Sequence, residues 1–252
     1  PGGMRTAIYL ADRGHKVTLF EADEKLGGAI KHAEYVDFKW TLNDFRKYLI
    51  RQVEKRDIDV RLNTRATPEM VRAEGFDMVI PALGATPSLP PIPGIDKPHV
   101  MVATQSMIHP ETVGQNVVVI GGGEVGVEAG MNLAKKGRNV TVLEMQGKLA
   151  AESTMIHYYS MFEEAWLALP TFHWQLNATV TGIQDDCVTY KDQEGAEHAI
   201  PCDSVVVSLG MKPLTDEALS FYGAGDALVG DCRKSATVEQ AMRSAYAVSH
   251  SV

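Results

Sequence analysis

Three glycines and one carboxylate carry the clearest chemistry in the 252-residue sequence. Gly121, Gly123 and Gly126 stand as G-x-G-x-x-G in the run GGGEVG, directly after the apolar residues Val117, Val118, Val119 and Ile120. A turn of this kind can cradle a pyrophosphate. The first glycine allows the tight turn, the second leaves no side chain between backbone and phosphate, and the third lets the next helix pack close to the strand. Glu124 and Val125 then open a helix whose free N–H groups and partial positive charge favour an anion. Glu144 lies 18 positions beyond Gly126, at the end of the run Asn139–Leu143, where a carboxylate accepts hydrogen bonds from an adenosine ribose. Strand, glycines, helix, strand and acid in this order read as a dinucleotide-binding unit. The plainer alternative is a glycine-rich turn with no ligand.

The same pattern occurs twice. The phrase GHKVTLFEADEKLGG from Gly14 returns as GRNVTVLEMQGKLAA from Gly137, 123 positions later. At that offset Gly3 corresponds to Gly126, and Glu21 follows Gly3 by the same 18 positions. Gly2 and Gly3 therefore read as the tail of a second fingerprint, whose first strand and first two glycines are expected upstream of Pro1. Residues 4–13 are the expected phosphate-binding helix and 16–20 the strand after it. Two dinucleotide folds call for two nucleotides, and the economical pair is FAD with a nicotinamide dinucleotide.

The copies differ after the acid. Gly27 and Gly28 in the first stand where Ala150 and Ala151 stand in the second, and paired glycines let backbone approach a bulky planar ligand. A strand expected over 76–80 runs through Pro81 into Ala82-Leu83-Gly84-Ala85-Thr86-Pro87. Another over 204–208 runs into Leu209-Gly210-Met211-Lys212-Pro213. Each ends in Gly then Pro, and together they bracket the second copy as outgoing and returning connections, natural hinges for an inserted domain. The expected fold is α/β with two Rossmann-like domains. The FAD domain covers 1–105 and 211–252, lacks its first strand, and holds the inserted NAD domain at 106–210. Ala82, Gly84 and Gly210 count among the cofactor-binding residues, as do Gly230 and Asp231 in the run Gly230-Asp231-Cys232-Arg233.

The other elements serve these sites. Residues 41–56 read as an amphipathic helix with a Thr41/Asp44 capping start, 57–62 as a strand and 68–74 as a short helix. Residues 171–199 read as a small antiparallel meander. Residues 236–252 close the chain as a helix with Val238, Ala241, Ala245 and Val248 on one face.

Composition excludes several classes. A net charge of −8 without a basic stripe argues against nucleic acid as a partner. No apolar run reaches the roughly 20 residues of a membrane helix. Cys187, Cys202 and Cys232 lack CxxC spacing, so neither a metal site nor a disulfide scaffold is expected, and a reducing, cytoplasmic setting is the default.

Taken together, GGxxxAxxLxxxGHxVxLFE, LGG, ALGATPxxPPIPGID, GGGEVGVE and GDCR resemble the two-dinucleotide-fold flavoprotein reductases. Within these the chain looks most like the C-terminal FAD/NAD module of the large old yellow enzyme relatives: 2-enoate reductase, 2,4-dienoyl-CoA reductase and trimethylamine dehydrogenase. The resemblance implies FAD in the outer domain, with Glu21 on its ribose, Gly3 near its pyrophosphate and Asp231 on its ribityl chain. It places NADH on the inserted domain, where Glu144 would repel the 2′-phosphate of NADPH. It implies hydride transfer from NADH to FAD without a catalytic side chain. Electrons would then pass to an FMN barrel and iron-sulfur cluster in an upstream part of the parent chain. Two other readings stay open: an ADP-holding structural module, as in trimethylamine dehydrogenase, and a free-standing NADH oxidase or electron-transfer reductase. A homo-oligomer is compatible with each. Ala29-Ile30-Lys31-His32 follows LGG without a cysteine, so dithiol chemistry is not expected.

Overall fold

Short β-branched runs alternate with longer amphipathic ones along the chain, and each pair builds part of one of two units. The computed structural model describes residues 1–153, 157–221 and 227–252. One unit comprises Pro1–Thr86 with Met211–Val252, the other Pro87–Gly210.

In the first unit α1 (Gly2–Asp12) buries Met4, Ala7 and Ile8, then turns through Gly14 (φ +89°) into β1 (Val17–Phe20). Helix α2 spans Trp40–Glu54. Its expected Thr41/Asp44 capping box does not form. The 3-10 turn Asp37–Lys39 leads directly into the helix, and Lys39 precedes it without a side-chain cap. Strand β2 (Ile58–Arg61) lies parallel to β1, Val17 beside Ile58 and Phe20 beside Arg61. Met4, Ile8, Leu49 and Val53 form the core between them, flanked by Leu19 and Val60. In α3 (Pro68–Glu74) the Thr67 hydroxyl accepts from the Met70 N–H at 3.3 Å, and left-handed Gly75 ends the helix. The strand expected over 76–80 is not formed. Among the described residues no neighbouring strand completes a ladder with it, and Pro81 brings no N–H of its own. The Pro81 carbonyl instead accepts from the Val229 N–H at 3.0 Å. The segment leads into the short β3 (Ala85–Pro87).

The second unit is built on a five-stranded parallel sheet. Along the chain come β4 (Val100–Val102), α4 (Ala103–Ile108), β5 (Asn116–Ile120), α5 (Glu124–Lys135) and β6 (Asn139–Leu143). They are followed by α6 (Tyr158–Leu167), β7 (Phe172–Gln175), β8 (Thr179–Ile183), β9 (Cys187–Lys191), β10 (Glu197–Pro201) and β11 (Ser204–Val207). The sheet order is β4-β11-β5-β6-β7. The expected 171–199 meander is thus shorter than its sequence suggests. β7 joins the parallel sheet beside β6, where Phe172 pairs with Val140, and only β8, β9 and β10 form the antiparallel ribbon. β5 and β11 are buried along their apolar length, as parallel strands covered on both faces must be. Helix α5 is buried continuously from Gly126 to Ala134 rather than along one stripe, because the sheet covers one side and α4 packs against it as well.

The outgoing division lies at Thr86–Pro87, earlier than the expected 105–106. Ile92, Ile95 and Val100 pack on Val118, Ile183 and Val205, within the second unit's core. The Ile183 N–H donates to the Pro93 carbonyl at 2.8 Å, and a Cβ on Gly94 would lie 2.1 Å from the Ile183 oxygen. These contacts tie the proline-dense segment to the inserted unit.

The chain returns through β12 (Met211–Pro213), which ladders with β3, then α7 (Thr215–Leu219) and α8 (Val238–His250). Thr237 caps α8 by accepting from the Gln240 N–H, and Ala241, Ala245 and Val248 form its buried face. Helices α1 and α8 pack together, with Tyr9 edge-on to Tyr246 at 5.6 Å between ring centroids. Among the described residues no helix is long and apolar enough to cross a membrane.

Candidate dinucleotide sites

In the second unit the fingerprint glycines divide into two jobs. Gly121 (φ +100°) donates its N–H to the Leu143 carbonyl at 2.9 Å, and a Cβ there would sit 2.3 Å from the Ser208 oxygen. A Cβ on Gly126 would lie 1.9 Å from the Gly121 oxygen. Both positions exclude side chains because backbone already occupies the space. At Gly122 side chains fill the space instead: a Cβ would meet Leu149 Cδ2 at 2.7 Å and Glu144 Cβ at 2.9 Å. Gly123 is different. A Cβ there meets nothing within 4 Å, and the residue precedes α5 with no side-chain cap. The open space lies against a helix N-terminus whose first N–H groups lack intrahelical partners, as a pyrophosphate requires.

Glu144 completes this site. It is 7% exposed; Oε2 accepts from the Gly122 N–H at 2.6 Å and Oε1 from the Gln146 N–H at 2.7 Å. The carboxylate is fixed by backbone, with lone pairs left over for a ribose hydroxyl. Glu124 supplies the helix entry, while its carboxylate accepts from the Ser153 hydroxyl and its carbonyl from Tyr158 Oη at 3.2 Å. Val125 is exposed beside it. Gly210 (φ +86°) closes the unit in open space. A dinucleotide fits the cradle formed by Gly123, the α5 terminus and Glu144.

In the first unit, α1 begins with neither a side-chain cap nor an acidic residue in its first turn. Gly2, Gly3, Gly28, Ala82 and Gly230 converge there. A Cβ on Gly2 would meet Val229 at 2.8 Å and Gly230 Cα at 3.9 Å, one on Gly3 would meet Ala82 Cβ at 3.3 Å, and one on Gly28 would meet Pro1 at 3.3 Å. Gly3 thus permits close packing of α1, as Gly126 does for α5. Gly84 (φ +80°) stands apart in open space, where β3 begins.

Glu21 ends β1 as Glu144 ends β6, and its Oε1 accepts from the Asp23 N–H at 3.0 Å in the same i to i+2 pattern. Burial raises the Glu21 carboxyl above the ordinary glutamate value, and the Lys31 ammonium partly opposes this. Burial likewise raises Asp231, against a hydrogen bond from the Ala236 N–H at 3.4 Å. A carboxylate half-withdrawn from water and short of donors suits ribose or ribityl hydroxyls.

Sequence reasoning missed two residues. One is Gly122, signalled only as the middle of three consecutive glycines. The other is Arg46, 5% exposed, which donates to the Glu34 carboxylate at 2.8 Å, Asn43 Oδ1 at 3.3 Å and the Leu26 carbonyl at 3.4 Å. Its Cδ would lie 2.8 Å from a Cβ on Gly27, whose φ is +141°. Arg46 therefore holds the Leu26-Gly27-Gly28 turn in place. Its position was readable, since 46, 49 and 53 follow helical spacing, but a charged residue on an apolar stripe is easily passed over.

Among the described residues no group of His, Cys, Asp and Glu could hold a metal ion. The Cys232 thiol is buried against the Val229 and Pro81 carbonyls at 3.3 and 3.6 Å.

The chain is similar to larger redox proteins. It is 36% identical over 250 residues to the bilirubin reductase of Mediterraneibacter gnavus, spanning 97% of this chain and 38% of that one. It is 30% identical over 254 residues to the cinnamate reductase of Clostridium sporogenes, again spanning 38% of the relative and 99% of this chain. The structure of 2-naphthoyl-CoA reductase with 2-naphthoyl-CoA superposes with a TM-score of 0.91 at 28% identity, covering all of this chain and 38% of that one. The chain thus spans about two-fifths of the length of these relatives. Residues 1–245 match the family described as pyridine nucleotide-disulphide oxidoreductase, which implies FAD and a nicotinamide dinucleotide as cofactors. The chain thus belongs to the pyridine nucleotide-disulphide oxidoreductase family, as a flavoprotein oxidoreductase module.

Proposed function

We propose that the chain is the electron-entry module of a larger reductase. Unit 1–86/211–252 takes FAD, unit 87–210 takes NADH, and the module feeds an upstream FMN and iron-sulfur unit that reduces an enoate or dienoyl-CoA substrate. The observation that carries the nicotinamide assignment is Gly123. It is the one fingerprint glycine in α5's entry turn whose missing side chain is not explained by packing, and it faces open space at an uncapped helix end. Glu144 favours NADH, because a 2′-phosphate would be placed beside a carboxylate already anchored by two N–H groups. The upstream unit is supported by relatives named for cinnamate and bilirubin reduction, of which this chain matches only 38%.

When bound, the two cofactors supply the redox chemistry, a hydride passing from nicotinamide to flavin. The chain's own part is to bind and orient. The α1 and α5 N-termini face phosphates, Glu21 and Glu144 fix the adenosine ends, Asp231 accepts from polyol hydroxyls, and Arg46 keeps the glycine turn in shape. No side chain needs to move a proton for this step.

The test is chemical. Acid extraction and chromatography of the purified parent protein should release FAD in addition to FMN. ADP without FAD would move the chain to the structural-scaffold reading.

A further inference from the structure

The loop after β6 follows Glu144 with Met145-Gln146-Gly147-Lys148-Leu149, and Lys148 is the sole basic residue between Glu144 and Ser153. A 2′-phosphate near Glu144 would need such a cation, since an extra dianion beside a carboxylate is otherwise repelled. Lys148 is engaged elsewhere: its Nζ lies 3.6 Å from the centroid of the Tyr159 ring at the start of α6. The ring is itself held on several sides. The Tyr159 hydroxyl donates to the Leu149 carbonyl, and the ring meets Trp166 and Tyr158 edge-on at 6.1 and 6.0 Å. The rest of the loop adds no positive charge. Both Glu144 oxygens accept backbone N–H groups, and the Gln146 amide reaches the Glu152 carboxylate at 3.4 Å.

We propose that Tyr159 is a specificity-determining residue: by holding the Lys148 ammonium over its ring it keeps the loop's one cation from neutralising a 2′-phosphate, and so deepens the preference for NADH over NADPH. Glu144 repels the phosphate, and Tyr159 withholds the remedy. This inference rests on the reading that unit 87–210 binds NADH. A cation resting on an exposed aromatic face is favoured by about 2- to 5-fold over a free one, which sets the size of the expected effect.

The measurement is the ratio of the NADPH and NADH dissociation constants, by calorimetry on the purified full-length protein with its flavin pre-reduced so that neither nucleotide reacts, for the parent and four variants. Y159L should lower the ratio by about 2- to 5-fold as Lys148 is released. Y159F keeps the ring and should leave the ratio at the parental value. With Lys148 removed the ring has nothing to withhold, so K148M and the double variant Y159L/K148M should share one ratio, at or above the parental value. A Y159L ratio equal to the parent's with NADH still bound would overturn the proposal. So would a Y159F ratio lowered as far as that of Y159L, or a Y159L change that lowers the ratio as far in the K148M background as in the parent. Failure of the parent chain to bind either nucleotide would instead sink the NADH reading itself, and the two failures are thereby distinguishable.

Discussion

Gly123 and Gly126 are three residues apart in one motif, yet the structure gives them opposite sensitivities to a single methyl group. In G123A the new Cβ meets no protein atom within 4 Å, and the backbone there (φ −65°, ψ 175°) is open to any residue. Replacing glycine by alanine at a helix N-cap costs less than about 1 kcal/mol, and the stiffer unfolded chain returns about 0.4–1 kcal/mol, so stability barely changes. The methyl does fill the space in front of the α5 N–H groups. A hydrogen bond to a charged phosphate contributes about 1.5–3 kcal/mol, so losing one weakens NADH binding by about 10- to 150-fold. In G126A the Cβ lies 1.9 Å from the Gly121 oxygen, 3.0 Å from its carbonyl carbon and 3.2 Å from Ser208 Cβ. Backbone must shift, at a cost of about 1–3 kcal/mol or more, and the melting temperature should fall by about 3–10 °C. Scanning calorimetry and NADH titration of the two variants check both halves. An unstable G123A, a G123A that binds NADH like the parent, or a G126A as stable as the parent would refute the division of labour among the glycines.

Three further outcomes follow from the same geometry. R46M removes three hydrogen bonds, one of them to the Leu26 carbonyl of the glycine turn, and leaves Glu34, 39% exposed at its side chain, to rehydrate; the expected loss is about 1–3 kcal/mol, read by urea denaturation, and an unchanged midpoint contradicts it. G210A places a side chain at φ +86° in open space, so left-handed strain alone should cost about 1–2 kcal/mol, whereas a loss outside that range would point to a packing role. Burial lifts the Glu21 pKa in the folded chain, so the group's contribution to stability is complete below the ordinary glutamate value of about 4.3 and is lost as pH rises through the lifted value. E21Q stays neutral and should therefore melt higher than the parent at neutral pH, with the advantage vanishing in acid; an advantage that grows on acidification would reverse the sign of the argument.

The dinucleotide units were legible because their signals are local. Strand, G-x-G-x-x-G, helix and strand-end acid are fixed by spacing, and β6 emerged with the bounds expected from its apolar run. What escaped depends on partners distant in sequence. Residues 76–80 have strand composition, but a strand needs a neighbour, and the Pro81 carbonyl instead accepts from the Val229 N–H and the Cys232 thiol. β7 looked like part of a meander until its pairing with β6 placed it in the parallel sheet, because alternation does not reveal which strand lies alongside. The connection running from Ala82 to Pro87 reads as a hinge, whereas Ile92 and Ile95 just beyond it bury themselves in the second unit's core. At the sites, motif position identified Gly121, Gly123 and Gly126 together. Only the structure separates the motif glycines kept for packing from Gly123, which faces open space, and only it reveals Arg46 under Gly27.

Anaerobic titration of the FAD-loaded protein with NADH, followed at the flavin absorbance, asks whether this module passes hydride from NADH to FAD. Bleaching of the flavin at about one NADH per FAD is the predicted result. An FAD that stays oxidised while NADH binds would contradict the account and leave the paired cradles as a nucleotide scaffold.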